Sequence, residues 1–249
     1  MKTLPAFLAF VLLVSSSNAE DTADELATKL SAAQQDGSSY VRLKMESQGV
    51  TLQLQIKQRR TAAATEVVYQ ILWPQERLGE SVLLRQAGSQ PATGTLFVPP
   101  ATLNQLDMKG TLFGSDVSHA DVLENFFAWG QQAIIGAGVV NRVSCQILES
   151  RPGIGQRSSY SVVRTWVDVR RVVPLRIEKY DAAGQVMRRI DSDRIVTDDI
   201  GRHVPTGLTV TNPQSGSSTE LDGSKLKHDV TFTDADFTAE GLKQVTPPR

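Results

Sequence analysis

The stretch that decides the fold class is SYSVVRTWVDVRRVVPLRIEKYDAAGQV, residues 159–186. Apolar residues alternate there with polar and charged ones, which is the period of a β-strand and not of a helix. Residues 181–184, Asp-Ala-Ala-Gly, have the composition of a tight hairpin turn. The segment therefore predicts neighbouring antiparallel strands.

The same alternation runs through the earlier part of the chain, in YVRLKME (40–46), TLQLQIKQ (51–58) and TEVVYQILW (65–73). Together with similar short segments after residue 143, it predicts about eleven antiparallel strands and few helices. A sheet of this size with one apolar side tends to curl or to close on itself. We therefore expect a mainly β (α+β) fold with one strongly curved antiparallel sheet, and a single domain over residues 20–249.

Two segments have a helical period instead. In residues 22–37, Thr22 and Glu25 have the spacing of a capping box, and Gly37 ends the pattern. The second segment, residues 118–135, ends before a Gly-Ala-Gly sequence. Its apolar stripe consists of Val122, Phe126, Trp129 and Ala133, with Phe127 beside it. We expect this second helix to lie against the apolar side of the sheet.

The beginning of the chain and its composition limit where the protein acts. Residues 1–19 combine a basic start, a short apolar core and small residues before Ala19, which is the pattern of a secretory signal peptide. We expect cleavage after Ala19 and export of the mature chain. The formal net charge of −1 gives no reason to expect binding to nucleic acid.

The residues that most often bind metals are sparse and scattered. Cys145 is the only cysteine of the chain, so an intramolecular disulfide is excluded. Its position within a strand is typical of a small buried residue. His119, His203 and His228 do not have the spacing of a zinc motif. The sequence therefore predicts no metal site and no cofactor.

Ser115, Asp116 and His119 are the residue types of a hydrolase triad, and they stand close together in the chain. Natural triads combine distant parts of a chain, and the Gly-x-Ser-x-Gly elbow is missing here. Ser118 and Asp121 have the spacing of a capping box, and Asp116 would place a negative charge near the start of a helix. We interpret the segment as a helix start and predict no catalytic residues and no enzyme activity.

Four segments in order resemble the LolA-like family of outer membrane lipoprotein-sorting proteins. They are FGSDVSHADVLENF (113–126), SCQILESRP (144–152), residues 159–186 and DVTFTDADFTAEGL (229–242). The resemblance covers most of residues 20–245, and the combination of Trp-Val-Asp with Pro-Leu-Arg is its most specific part. Val117 and His119 depart from it, because the family usually has aromatic residues there.

The resemblance implies an incomplete β-barrel of about eleven strands, with helices over its concave face and a hydrophobic cavity for acyl chains between them. The implied function is that of a periplasmic carrier or chaperone that moves lipoproteins, or another hydrophobic cargo, toward the outer membrane. Its partners would be inner- or outer-membrane transport proteins, and we expect a monomer. The candidate cargo-binding residues are Leu52, Leu54, Ile56, Val67, Tyr69, Ile71, Val122, Phe126 and Phe127.

Period-two apolar strands are expected of a filled core as well as of a cavity, so two other functions stay open. The first is a periplasmic sensor or interaction module of the same fold that binds a membrane protein and transports nothing. An interior packed shut by Phe126, Trp129 and Trp166 would favour it. The second is a hydrolase that uses Ser115 and His119, which an esterase activity would support.

Overall fold

The computed structural model describes residues 21–34, 37–61, 63–88 and 90–245 of the chain. The predicted signal peptide and its cleavage site lie outside these residues. Thirteen strands form one antiparallel sheet. They are β1 Ser38–Ser47, β2 Val50–Arg60, β3 Ala64–Trp73, β4 Ser81–Ala87, β5 Thr93–Val98, β6 Thr102–Gln105, β7 Gln131–Val140, β8 Val143–Arg151, β9 Val162–Asp168, β10 Val173–Tyr180, β11 Val186–Thr197, β12 His203–Asn212 and β13 Ser217–His228.

The sheet has the order β6-β5-β4-β3-β2-β1-β13-β12-β11-β10-β9-β8-β7, with β6 and β7 at its edges, and it is not closed. Strands adjacent in sequence pair with each other, except β6 and β7, and the pairing of β1 with β13 joins the two halves. The predicted turn at 181–184 connects β10 and β11, where Gly184 has a φ of 78° and donates its N–H to the Asp181 carbonyl. The predicted hairpin is confirmed.

The strand count of about eleven was too low because two edge strands were not anticipated. The short strand β6 is fully exposed and has no alternating apolar residues. The other edge strand, β7, begins within the predicted helix 118–135; that helix prediction was correct at its start but wrong after Leu123. An edge strand is paired on one side only, and its sequence therefore carries a weaker pattern than that of a central strand.

Three helices accompany the sheet: α1 Ala23–Gln34, α2 His119–Leu123 and α3 Ala239–Leu242. The side chains of Thr22 and Glu25 bond to each other's backbone N–H groups, so the predicted capping box of α1 is confirmed. Ser118 caps α2 in the predicted capping box with Asp121. The backbone leaves the helical conformation at Glu124 and Asn125, a 3-10 turn follows at Phe126–Ala128, and the chain enters β7.

Pairing with β8 explains why residues 131–140 form a strand. Cross-strand partners run from Gln131 with Arg151 to Val140 with Val143. Gly136 and Gly138 would weaken a helix, whereas in the strand Gly138 lets the Trp166 ring approach to within about 3 Å of where a Cβ would lie. Long-range hydrogen bonds therefore outweigh the weak local helical period.

The two faces of the sheet carry different side chains. We call the face that holds Leu52, Leu54 and Ile56 the front face and the opposite one the back face, since alternate residues of a strand point to opposite sides. Residues 106–129, the front cover, pack on the front face together with α1. Residues 229–245, the back cover, pack on the back face of β3 to β5. Both faces of that half of the sheet are therefore covered.

Candidate functional site

The front face of β1 to β5 is the largest apolar surface that the fold gathers from the predicted cargo-binding residues. Leu52, Leu54 and Ile71 pack with Met45, and all are at most 2% exposed. Next to them, Ile56 and Val67 pack with residues of β4 and with the front cover. Tyr69 contacts both clusters and Val122 contacts the second one. The structure thus brings these predicted residues together.

Phe126 and Phe127, the remaining two, lie in a different part of the front face. Their ring centroids are 4.4 Å apart, and the Trp129 ring meets Phe126 edge-on at 6.2 Å. This aromatic group is buried under α1 and against β8 and β9, with Leu26, Ala27, Leu30, Leu148, Tyr160, Val163 and Val167. The predicted set therefore occupies two neighbouring regions and not one site.

Side chains of the front cover fill the space over the front face. Leu112 and Leu123 are buried against β2 to β4, and Phe113 contacts both apolar clusters there. Phe113 has a φ of 53°, a left-handed conformation that is uncommon for an aromatic residue. The Phe113 ring thus reaches the sheet from a strained backbone conformation.

Two surface hollows lie away from this apolar region. One, of about 450 Å³, is lined by Asp24, Gly130, Gln131, Gln132, Ala133, Glu149 and Arg151. The other, of about 310 Å³, lies at the β1–β2 hairpin and is lined mainly by polar residues. Polar linings do not suit an acyl chain, because a binding site for one needs aliphatic walls.

Asp116 attaches the front cover to β13. Its backbone N–H donates to the Thr219 hydroxyl at 2.9 Å, and its carboxylate accepts hydrogen bonds from the hydroxyls of Thr219 and Ser217. Its backbone carbonyl accepts a hydrogen bond from Arg188 Nε at 3.0 Å. The expected role of Asp116 at a helix start was wrong, because α2 is short and the carboxylate turns to the sheet.

A buried ion pair forms the second polar link between the front cover and the sheet. Lys179 Nζ of β10 lies 2.7 Å from Asp121 Oδ1 of α2, and the two side chains are 2% and 8% exposed. The ammonium group also lies 5.0 Å from the ring centroid of Tyr160 and 5.4 Å from that of Phe126. Such a buried charge is tolerated only when it is paired.

Burial and the lysine act in opposite directions on the Asp121 carboxyl. Burial opposes ionisation, but the charge of Lys179 and hydrogen bonds from Lys179, Ser118 and Tyr160 bring its pKa below the ordinary value. Burial and the Asp121 charge raise the pKa of Tyr160, so its phenol stays protonated and can donate. Burial also raises the pKa of Glu124, whose Oε2 has no hydrogen-bond partner among the described residues.

Lys179 was not among the predicted site residues, although a signal exists in the sequence. It follows Ile177 on the same side of β10, where alternation would place an apolar residue. A charged residue at an inward position indicates a buried partner. The partner, Asp121, is far away in sequence, so only the folded chain identifies it.

The three hydrolase-like residues bind different partners. The Ser115 hydroxyl accepts a hydrogen bond from the Val117 N–H, and His119 Nδ1 lies 2.8 Å from the Asp107 carbonyl oxygen. Asp116 binds Ser217 and Thr219. The three side chains thus bond within the front cover or to the sheet.

Asp198, Asp199 and His228 come within 4.8 Å of one another through possible metal-ligand atoms. The Asp198 carboxylate already accepts hydrogen bonds from the backbone N–H groups of Ile200 and Arg202 and from Arg202 Nε. These bonds and the Arg202 charge outweigh the burial of Asp198 and lower its pKa. Because a guanidinium group already neutralises the carboxylate, we assign this group to the stabilisation of the β11–β12 turn.

Comparisons with known proteins agree with this architecture. The model of a protein family described as "Uncharacterized protein" matches residues 72–244. A LolA superfamily protein from Nitrosomonas europaea has the same fold, with a TM-score of 0.67 at 19% identity over 88% of this chain and 98% of its own. The chain belongs to the family whose model matches, and its fold is LolA-like.

Two further solved structures share the LolA-like fold. A DUF1329 family protein from Desulfovibrio piger matches with a TM-score of 0.79 at 21% identity, over 88% of this chain and 97% of its own. An outer membrane lipoprotein-sorting protein domain from Vibrio parahaemolyticus gives 0.78 at 19% identity, over 89% and 98%. No curated protein sequence matches significantly. In the described part of the chain, no helix has the length and apolar character required to cross a membrane.

Proposed function

We propose that this LolA-like chain is a periplasmic carrier or chaperone that binds the acyl chains of lipoproteins, or another hydrophobic cargo, between the front face and its cover. One observation carries the proposal: a contiguous apolar sheet surface is covered mainly by an irregular segment with short helical turns. Cargo would take the place of the Leu112, Phe113 and Leu123 side chains.

The energetics favour such an exchange. Each CH₂ group removed from water contributes about 0.8 kcal/mol, so an acyl chain on the front face offsets the contacts that the cover gives up. The side-chain links between the cover and the sheet lie around the apolar clusters, at Asp116, at Asp121 and at the carbonyls that accept from Gln132. A cover attached at such points can move without unfolding the sheet.

The finer parts of the proposal follow from the family. The open sheet would form a strongly curved, incomplete barrel with α1 and the front cover over its concave face. The protein would receive its cargo from one membrane transport protein and deliver it to another at the outer membrane. The names of the LolA superfamily protein and the lipoprotein-sorting domain support a role of this kind.

The test is whether the purified chain binds lipid on its front face. Binding of a fluorescent fatty acid should be weakened by Leu54→Gln and unchanged by the matched Leu83→Gln, since Leu83 is buried on the back face. Organic extraction should also release co-purified lipid. Thermal melting of each variant confirms folding. Absence of both lipid and probe binding in the wild type would refute the carrier.

A second function has support from the packing. Phe126 and Trp129 close the part of the front face under α1, as expected for an interaction module that binds a membrane protein and carries no lipid. Trp166 does not take part, because it packs with Cys145 and Val173 on the other side of the sheet. Failure of lipid binding, together with capture of a membrane protein on immobilised chain, would favour this alternative.

A further inference from the structure

Two polar groups of the front cover accept hydrogen bonds from cationic side chains of the sheet. Lys179 on β10 and Arg188 on β11 are direct cross-strand partners and therefore lie on the same face. Asp121 of the cover accepts the hydrogen bond of Lys179, and the Asp116 carbonyl of the cover accepts that of Arg188. Both acceptors thus come from the segment that cargo would displace.

Tyr160 adds a third donor at the same place. It lies just before β9, outside the cover, and it is 8% exposed. Its hydroxyl bonds to Asp121, and its ring lies 5.0 Å from Lys179 Nζ. Lys179 and Tyr160 thus bond to the Asp121 carboxylate, and Arg188, beside Lys179, bonds to the Asp116 carbonyl. All three side chains stay with the sheet when the cover moves.

From this arrangement we infer that Lys179, Arg188 and Tyr160 form a binding site for the anionic head group of an acylated cargo, a carboxylate or a phosphate, for which Asp121 substitutes in the closed protein. The inference rests on the proposed carrier function and names the class of its cargo.

Charge balance gives the physical reason. Displacing the cover separates Lys179 from Asp121, and an unpaired ammonium group next to apolar surface is strongly unfavourable. An anionic cargo replaces the lost partner through charge-assisted hydrogen bonds, whereas a neutral cargo leaves the lysine unpaired. The site therefore favours the acid over the neutral form of the same chain.

The test compares two probes that differ only in charge: a long-chain fluorescent fatty acid and its methyl ester. We expect the wild type to bind the acid about ten- to one-hundredfold more tightly, the range of a charge-assisted hydrogen bond. A second probe pair, lysophosphatidic acid and monoacylglycerol, distinguishes a phosphate site from a carboxylate site. Preference for the anion in either pair supports the inference.

The variant Lys179→Met with Asp121→Leu removes both charges together, so it leaves no buried charge unpaired. We expect its acid-to-ester affinity ratio to fall to the severalfold preference that Arg188 supplies. The matched control, Lys57→Met with Asp236→Leu, removes the lysine–aspartate pair of the back face and should keep the wild-type ratio.

Half-buried Arg188 gives an independent variant that does not alter the buried pair. Arg188→Gln should reduce the affinity for the acid severalfold and leave that for the ester unchanged, since a lost charge affects only the charged probe. Equal binding of anionic and neutral probes by the wild type would overturn the inference alone, as would a ratio that survives in both front-face variants. Binding of none of the probes would overturn the proposed carrier and, with it, this site.

Discussion

The two covers of the sheet are built differently, although each contributes an aspartate that pairs with a buried lysine of the sheet. On the back face, Lys57 bonds to Asp236 at 3.0 Å, and on the front face Lys179 bonds to Asp121 at 2.7 Å. Around the first pair the sheet presents a row of polar side chains beside the apolar Val68, Leu83 and Phe97. Around the second, it is largely apolar.

The back face under the back cover contains a row of hydrogen-bonded side chains. Tyr40 donates to Gln55, Gln55 donates to Gln70, and Gln70 donates to Ser81 and to the Leu242 carbonyl. These side chains need polar partners when buried, and the back cover supplies one of them. An apolar ligand could not take its place.

The front face has the opposite character. Its strands present aliphatic side chains to the front cover, and Leu112, Phe113 and Leu123 of the cover pack against them. Any apolar group of suitable shape can replace such contacts, because burial of apolar surface is non-directional. The comparison therefore supports our proposal that cargo replaces the front cover and not the back cover.

The largest expected effect is on the back face. Phe237 is fully buried, lies 4.6 Å under the Arg59 guanidinium and contacts Phe232 edge-on. Phe237→Ala should reduce the free energy of unfolding by about 3–5 kcal/mol, the usual cost of such a cavity. Urea denaturation measures it. Fatty acid affinity of the folded protein should not change, and a gain in affinity would contradict the division of roles.

The next effect uses two matched glutamines. Gln70 donates to the Leu242 carbonyl of the back cover, and Gln132 donates to the carbonyls of Phe126, Phe127 and Trp129 in the front cover. Replacing either with Leu leaves buried acceptors unpaired and should cost about 1–3 kcal/mol. Hydrogen exchange should speed up at residues 239–244 in Gln70→Leu and at residues 126–129 in Gln132→Leu. Only the second variant should bind lipid faster.

A smaller effect distinguishes the two covers by the sign of the change in fatty acid affinity. Phe113 of the front cover and Phe232 of the back cover are both partly buried aromatic residues. Truncation to Ala should destabilise each by about 1–2 kcal/mol, less than a fully buried ring. Phe113→Ala should raise fatty acid affinity about three- to tenfold, because the competing ring is gone. Equal affinity in Phe113→Ala and Phe232→Ala would show that the front cover does not compete with cargo.

The smallest expected effect is a pH dependence of opposite sign in the two covers. Burial raises the pKa of Glu124 above its ordinary 4.5, so its ionisation weakens the folded state as pH rises through the folded pKa. Glu124→Gln should therefore raise the melting temperature at neutral pH, and this gain should disappear in acid below the ordinary value.

Asp236 of the back cover supplies the contrast. Burial opposes its ionisation, but hydrogen bonds from Thr233 and Lys57 lower its pKa below the ordinary 3.8. Its contribution is thus present at neutral pH and is lost as pH falls through the folded pKa. Asp236→Asn should lower the melting temperature at neutral pH and have little effect in strong acid. Melting curves across this pH range give both signs.

Local chemistry determined much of the fold from the sequence alone. The period of two located most strands, the Asp-Ala-Ala-Gly turn located a hairpin, and capping boxes located the starts of α1 and α2. Each of these signals works through neighbours a few residues apart. The same alternation placed Leu52, Leu54 and Ile71 together, because their strands are adjacent in the chain.

The tertiary structure decided what depends on distant partners. Residues 131–140 became the edge strand β7 because β8 offers backbone hydrogen bonds that a local helix does not. Phe126 and Phe127 lie apart from the other predicted site residues because the chain leaves the helical conformation at Glu124. Lys179 and Asp121 meet only in the fold, since a buried charge finds its partner by position in space and not by spacing in sequence.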